Sequence, residues 1–202
     1  MIKVIDNFLT PTYADTIQQD ARNLLQYSYM RETCSQDGPY TGPPLLRDEN
    51  TFDFGQFTCP ILVHPEPTPV FGWYFNLLKP VIYTTIDKVP EIAVRGVVRI
   101  KFNLLLQKAD APESHYNIPH QDALDSAYSM VYYCDDSDGD TFLFNEFYEP
   151  GKLPAKLTVA ERVTPRKNRV VVFESNRYHA SSNPRTSRDR FVGNFIFEAS
   201  KR

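Results

Sequence analysis

From Val97 onward the sequence adopts a two-residue rhythm, and that rhythm constrains the fold more than any other feature. Val98, Ile100, Phe102 and Leu104 alternate with Val97, Arg99, Lys101 and Asn103, as in a strand whose two faces meet different surroundings. Further stretches of strand character follow at about 127–134, 141–147, 156–163, 169–174 and 190–198. Aromatic and β-branched residues dominate them, and these fit a pleated, half-buried surface. DDSDGD at 135–140 is a strong turn signal between two of the strands.

The first ninety residues read differently. Ile2 to Ile5 predicts a short strand. Thr10 as N-cap and Pro11 as first helical residue open a helix through about Leu25. A second helix is expected from about Pro69 to Asp87, kinked or divided at Pro80. Residues 28–66, rich in turn formers (DGPYTGPP, HPEPTP), read as irregular. Helices first and then a run of short strands predict an α+β fold, a β-sandwich or jelly roll with helices packed on one sheet.

A chain of 202 residues fits one domain with a full core, and there is no internal repeat or linker. No apolar run approaches the roughly 20 residues that span a bilayer, and MIKVIDNFLTPTYAD lacks a secretion-signal layout. Cys34, Cys59 and Cys134 are odd in number with no CxxC spacing. They read as reduced thiols in a cytoplasmic protein, with Cys134 a core residue. Charge is uneven: residues 1–150 carry 10 Lys+Arg against 21 Asp+Glu, and residues 151–202 carry 12 against 4. No basic run interleaves with aromatics, so pairing within one fold is favoured over nucleic-acid binding.

Of four histidines, two stand where chemistry is plausible. His120-Gln121-Asp122 precedes a strand, and in extended chain residues i and i+2 point to one side. His179 follows the RVVVFE strand. Two imidazoles and one carboxylate on one face leave open positions on an octahedral metal, the arrangement used by non-haem Fe(II) oxygenases; Mn(II) and Zn(II) suit the same ligands. Taken singly, a surface turn accounts for His-x-Asp and a strand-end cap accounts for His179 equally well. His115, five residues before His120, reads as a solvent-exposed loop residue. Downstream, Arg190 opens an apolar strand. A guanidinium entering an apolar interior is costly unless it meets an anion, and its planar fork suits a carboxylate. Arg188 competes for that role if the strand begins earlier, and a rim pairing with Asp189 or Glu198 is the plainer alternative.

The order His-x-Asp, about sixty residues, His, about ten residues, then an arginine and a strand resembles the Fe(II)/2-oxoglutarate dioxygenases, in particular their prolyl-4-hydroxylase-like branch. MVYYCDDSDGDTFLF, TPRKNRVVVFESNRYHAS and RFVGNFIF are similar to that branch's corresponding segments, and the likeness covers roughly residues 95–198. It implies a double-stranded β-helix (jelly-roll) core at about 95–198, with helical support at about 1–94 packed on the major sheet. It also implies Fe(II), 2-oxoglutarate and O₂, with His120, Asp122 and His179 as metal ligands. Arg190, or else Arg188, is implied to grip the distal carboxylate of 2-oxoglutarate. Tyr133 matches a position whose hydroxyl assists that arginine; ordinary core packing explains it equally. Thr141 is a further pocket candidate.

The implied activity is C–H hydroxylation coupled to oxidative decarboxylation of 2-oxoglutarate, on a small-molecule or peptidyl substrate. Retention of Asp122 favours hydroxylation over halogenation, because related halogenases lack the carboxylate. A cupin-type metalloenzyme and a non-catalytic jelly-roll binding module are the alternatives. Residues 28–66, with Tyr40, Arg47 and Phe52, are a candidate lid.

Overall fold

A computed structural model describes the chain except for residues 35–45, 64–67, 70, 124 and 125. In chain order the elements are β1 (Ile2–Ile5), α1 (Pro11–Leu24), β2 (Ser28–Met30), β3 (Gln56–Val63), β4 (Thr68–Pro69), α2 (Gly72–Lys88) and β5 (Ile92–Leu106). Then come β6 (Ala127–Tyr133), β7 (Thr141–Phe147), β8 (Val159–Val163), β9 (Arg169–Glu174), β10 (Arg177–Ser181) and β11 (Asp189–Lys201). The major sheet runs β1-β9-β6-β11-β5-β3-β2, with β4 on β3, and the minor sheet runs β10-β7-β8. Every pairing is antiparallel.

Alternation sorts the side chains into layers. Tyr128, Met130 and Tyr132 of β6, with Val170 and Val172 of β9, pack with Ala14, Ile17 and Ala21 of α1 and Leu78 and Val81 of α2. Val131 and Tyr133, with Val171 and Phe173, face the other way and meet Leu143 and Val163 of the minor sheet. Helices, major sheet and minor sheet thus form three layers: an α+β jelly roll with its helices on the major sheet. Each face buries apolar area worth roughly 25 cal/mol per Å², which holds the register: a one-residue slip would exchange the two faces.

Beyond the β1–β9 pairing, Asn168 ties down the N-terminal arm. Asn168 has φ 64°, a left-handed conformation that asparagine tolerates. Its side chain accepts from the Leu9 N–H and donates to the Leu9 carbonyl, both at 2.8 Å. The uneven charges of the two segments also meet at the surface: Arg169 pairs with Asp6 and Lys167 with Asp15, each at 2.6 Å.

Several expectations need correction. The segment 1–94 is not only helical support, since β1, β2 and β3 within it join the major sheet. In β3 (QFTCPILV) Pro60 sits at a register shift against β5; a residue without an N–H at a bulge hides the strand from a pattern search. Residues 28–66 are therefore partly strand, and Tyr40 of the suggested lid lies outside the described residues. Pro80 does not divide α2, which runs unbroken through it, and β5 extends beyond both ends of the predicted 97–104. His179 lies within a strand of its own, β10, which the tight turn at Ser175 and Asn176 separates from β9.

Candidate metal centre and cleft

His120 and Asp122, from the connection between β5 and β6, meet His179 of β10 at one point. The His120 N–H donates to the His179 carbonyl and the His179 N–H to the His120 carbonyl, both at 2.9 Å, in an antiparallel bridge. The Asp122 N–H donates to the Ser175 carbonyl at 2.9 Å. The segment bearing His120 and Asp122 is thereby laced to the start of the minor sheet. The ligating atoms of all three side chains lie within 4.8 Å of one another.

The imidazoles are oriented by their own backbone. Nδ1 of His120 faces the Ile118 carbonyl at 3.0 Å, and Nδ1 of His179 faces the Arg177 carbonyl at 3.0 Å. A proton on each Nδ1 satisfies those carbonyls and leaves Nε2 as a lone-pair donor. Burial, together with the neighbouring His179, pushes His120 down to about 3, so it is neutral at physiological pH. Asp122 is held as a carboxylate. Burial alone would raise its pKa, but the Arg99 guanidinium and then His179 bring it well below the usual range. Arg99 Nη2 donates to Oδ1, and the Ser129 hydroxyl donates to Oδ2 at 2.7 Å. His179 Nε2 lies 3.4 Å from Oδ2. Two imidazoles whose Nδ1 atoms face backbone carbonyls and a fixed carboxylate suit a divalent first-row ion such as Fe(II).

A cleft opens on this cluster and is lined by His120, His179, Val131, Thr141, Val192 and Arg190, among others. Arg190 is 3% exposed. Its Nε donates to the Gly139 carbonyl and its Nη2 to Thr141 Oγ1, both at 2.7 Å. The Tyr133 hydroxyl donates to the same Thr141 oxygen at 2.7 Å. Among the described residues no carboxylate pairs with Arg190. A buried cation lining a cleft and braced by neutral acceptors alone suits an anion. Burial pushes the Tyr133 phenol up to about 12, so it stays protonated.

Two loops hold Arg190 in place. The Asp138 carboxylate accepts from the backbone N–H groups of Arg185, Thr186 and Ser187 at 3.1, 2.9 and 2.8 Å. A Cβ on Gly139 would lie 2.6 Å from the Ser182 carbonyl oxygen and 3.0 Å from Arg190 Cδ. Only glycine permits that approach.

The other sequence candidates fall elsewhere. Arg188 is exposed and does not line the cleft. His115 is buried, contrary to expectation: its Nδ1 lies 2.6 Å from the Pro112 carbonyl, and its Nε2 accepts from the Asn183 N–H at 3.1 Å. It braces the loop after β10. The sequence reading missed Arg99 and Lys101. Both occupy the face of β5 opposite Ile100 and Phe102, and two cations on one face of a strand that packs inward were the available signal.

Residues 106–198 match the family model described as the 2OG-Fe(II) oxygenase superfamily. Over that stretch, a little under half of the chain, the sequence is similar to this superfamily, whose members use Fe(II), 2-oxoglutarate and O₂. The match, with the His120, Asp122 and His179 cluster, supports a 2-oxoglutarate-dependent non-haem iron dioxygenase. No curated protein matches the chain in sequence. Among solved structures, a Trichoplax adhaerens prolyl hydroxylase in complex with a hypoxia inducible factor peptide shares 13% identity at TM-score 0.56, over 98% of this chain and 83% of that one. A Pseudomonas putida prolyl-4-hydroxylase shares 14% at TM-score 0.52, over 98% and 91%. The α-ketoglutarate dependent epimerase SnoN from nogalamycin biosynthesis shares 9% at TM-score 0.61, over 100% and 80%. At such identities these likenesses establish the shared jelly-roll fold.

Proposed function

We propose that the chain is a hydroxylase in which His120, Asp122 and His179 hold Fe(II) and Arg190 holds the distal carboxylate of 2-oxoglutarate, all within one oxygenase domain over residues 1–202. The observation that carries this reading is the shared cleft. Two imidazoles with Nε2 free and a clamped carboxylate lie at one place in it, and a buried, unpaired arginine lies at another. Arg190 is preferred over Arg188 because only Arg190 lines the cleft.

Bound iron with 2-oxoglutarate supplies the oxidising chemistry, consuming O₂ and releasing succinate and CO₂. The residues of the chain supply placement. Arg99 and Ser129 fix the Asp122 carboxylate, so the ligand set needs little reorganisation on metal binding. Thr141 and Gly139 fix the Arg190 fork, and Val131 and Val192 keep the cleft wall apolar between the polar ends, which limits water at the reacting centre. The substrate is a small molecule or a peptidyl residue.

The test is anaerobic. Fe(II) and then 2-oxoglutarate are added to the metal-free protein, and the visible charge-transfer band of the chelate is followed. We expect a band that disappears in His179→Ala and weakens in Arg190→Ala. A folded, metal-loaded protein without the band would refute the assignment.

A further inference from the structure

One side chain in the cleft is left without a task by the proposed function. Lys101, on β5, lines the same cleft as the two histidines. Its neighbours on that face are engaged: Arg99 holds Asp122, and Leu105 is the register partner of Arg190. Among the described residues Lys101 forms no ion pair; the carboxylate that acts on it, Asp122, is already held by Arg99 and belongs to the metal cluster.

The groups around Lys101 are unpartnered donors. Asn194 is its register partner on β11. The Asn194 Oδ1 accepts a long bond from Arg99 Nη2 at 3.5 Å, which turns the amide N–H groups away from Arg99. Asn103, two residues along β5, accepts from the Thr58 hydroxyl at 3.0 Å through Oδ1, and its N–H groups find no partner among the described residues. Thr33, which also lines the cleft, is 7% exposed; its backbone N–H is taken by Asp53 at 2.9 Å, and its hydroxyl has no hydrogen-bond partner among the described residues. An ammonium, two amide N–H₂ groups and a hydroxyl around one space match an anionic oxygen and would repel a cation.

The co-substrate does not account for this cluster. 2-Oxoglutarate has two carboxylates; in the proposed site one meets Arg190 and the other belongs to the metal chelate. Lys101 lies four strand residues from the register partner of Arg190, roughly 13 Å along β5. The cleft thus has two separate cationic poles.

We propose that the primary substrate is itself an acid, and that Lys101, with Asn103, Asn194 and Thr33, receives its carboxylate-class oxyanion. This deepens the proposed function and rests on it. It places the enzyme's substrates among free organic or amino acids rather than the neutral backbone of a peptide. Lys101 sets which molecule enters and how it lies; it takes no part in proton or electron transfer.

The probe is acetate, with acetamide as its neutral counterpart. Zn(II)-loaded protein saturated with 2-oxoglutarate is examined by saturation-transfer NMR on the methyl protons, in wild type, Lys101→Met and Lys101→Arg. We expect transfer to acetate and not to acetamide, a loss of at least fivefold in Lys101→Met and substantial retention in Lys101→Arg. The 2-oxoglutarate Kd should stay within twofold of wild type in both variants. Equal acetate signals in wild type and folded Lys101→Met overturn the proposal. So does a tenfold weakening of 2-oxoglutarate in Lys101→Met with acetate binding only in its absence, because the cation then serves the co-substrate. Should Lys101→Met not fold, Lys101→Gln carries the same comparison. Failure of the oxygenase reading itself appears separately, as wild-type protein that binds 2-oxoglutarate without any dependence on metal.

Discussion

Thr141→Val removes one oxygen and strands two buried donors. Thr141 Oγ1 accepts from the Tyr133 hydroxyl and from Arg190 Nη2, both at 2.7 Å, and all three side chains are at most 3% exposed. Valine has nearly the same shape, so packing is kept while both bonds are lost. A buried donor left unsatisfied costs about 1–3 kcal/mol, more when charged, so the pair together costs about 2–6 kcal/mol. That is a large share of an ordinary domain's stability of about 5–15 kcal/mol. Arg190 also loses one of its two braces and keeps only the Gly139 carbonyl. Loss of a charge-assisted bond of about 1.5–3 kcal/mol corresponds to roughly ten- to hundredfold weaker 2-oxoglutarate binding. Urea unfolding of the metal-free protein reads the first effect, and anaerobic titration of the chelate band reads the second. Thr141→Ser, which restores the oxygen, should recover most of both. A valine variant with the wild-type urea midpoint and wild-type 2-oxoglutarate affinity would show that Thr141 is not the keystone of this corner.

Further outcomes follow from the same geometry. Arg99→Met should lower metal affinity about 10–100-fold by freeing the Asp122 carboxylate, read from Co(II) absorption titrations; unchanged affinity would exclude Arg99 as an orienting group. Asp122→Gly should abolish hydroxylation, and undiminished turnover would remove Asp122 from the site. Burial works to raise Asp138, but the Ser187 and Thr186 N–H groups outweigh it and depress its pKa. Its stabilisation is therefore present above the ordinary carboxylate value of about 4 and lost as pH falls below it. Asp138→Asn should flatten the urea midpoint in that acid range, and an unaltered profile would argue against the clasp. His115 is lowered mainly by burial, with the Pro112 carbonyl opposing. Its neutral form stabilises the fold above about 6.5, and that contribution fades as pH falls through the depressed value. His115→Gln should remove this slope below about pH 6.5, measured by thermal melts against pH.

The fold was legible where side chains alternate without interruption. The faces of β6, β9 and β11 are dense in aromatic and β-branched residues, so their period survives in the sequence. β3 was hidden because Pro60 falls at a bulge, and β10 because it is five residues long and leaves β9 for the other sheet after a two-residue turn. That His120, Asp122 and His179 converge and that Arg190 is buried was legible from chemistry: few residue types suit a metal or a buried guanidinium, and these stand at suggestive places in the chain. What holds them was not. Arg99 is 23 positions from Asp122, and Gly139 is 51 from Arg190; such pairs exist only once β5, β6 and β11 lie side by side. The sequence placed His115 in solvent because a polar loop carries no sign that it folds back over the residues following β10.

The reciprocal bridge between His120 and His179 gives the two sheets a shared fastening. Asp122 is held by Arg99 and Ser129 of the major sheet, while His179 belongs to the minor sheet. An ion bound by all three ligands closes a ring across the sandwich, and the layers cannot part without releasing it. Metal occupancy therefore acts as a clasp on the whole molecule: stability rises with free metal concentration as RT ln(1 + [M]/Kd). Slow hydrogen exchange in β7 and β10 becomes a gauge of how many molecules are loaded. With Fe(II) as that ion, loss of the metal would leave the same chain both idle and easier to unfold.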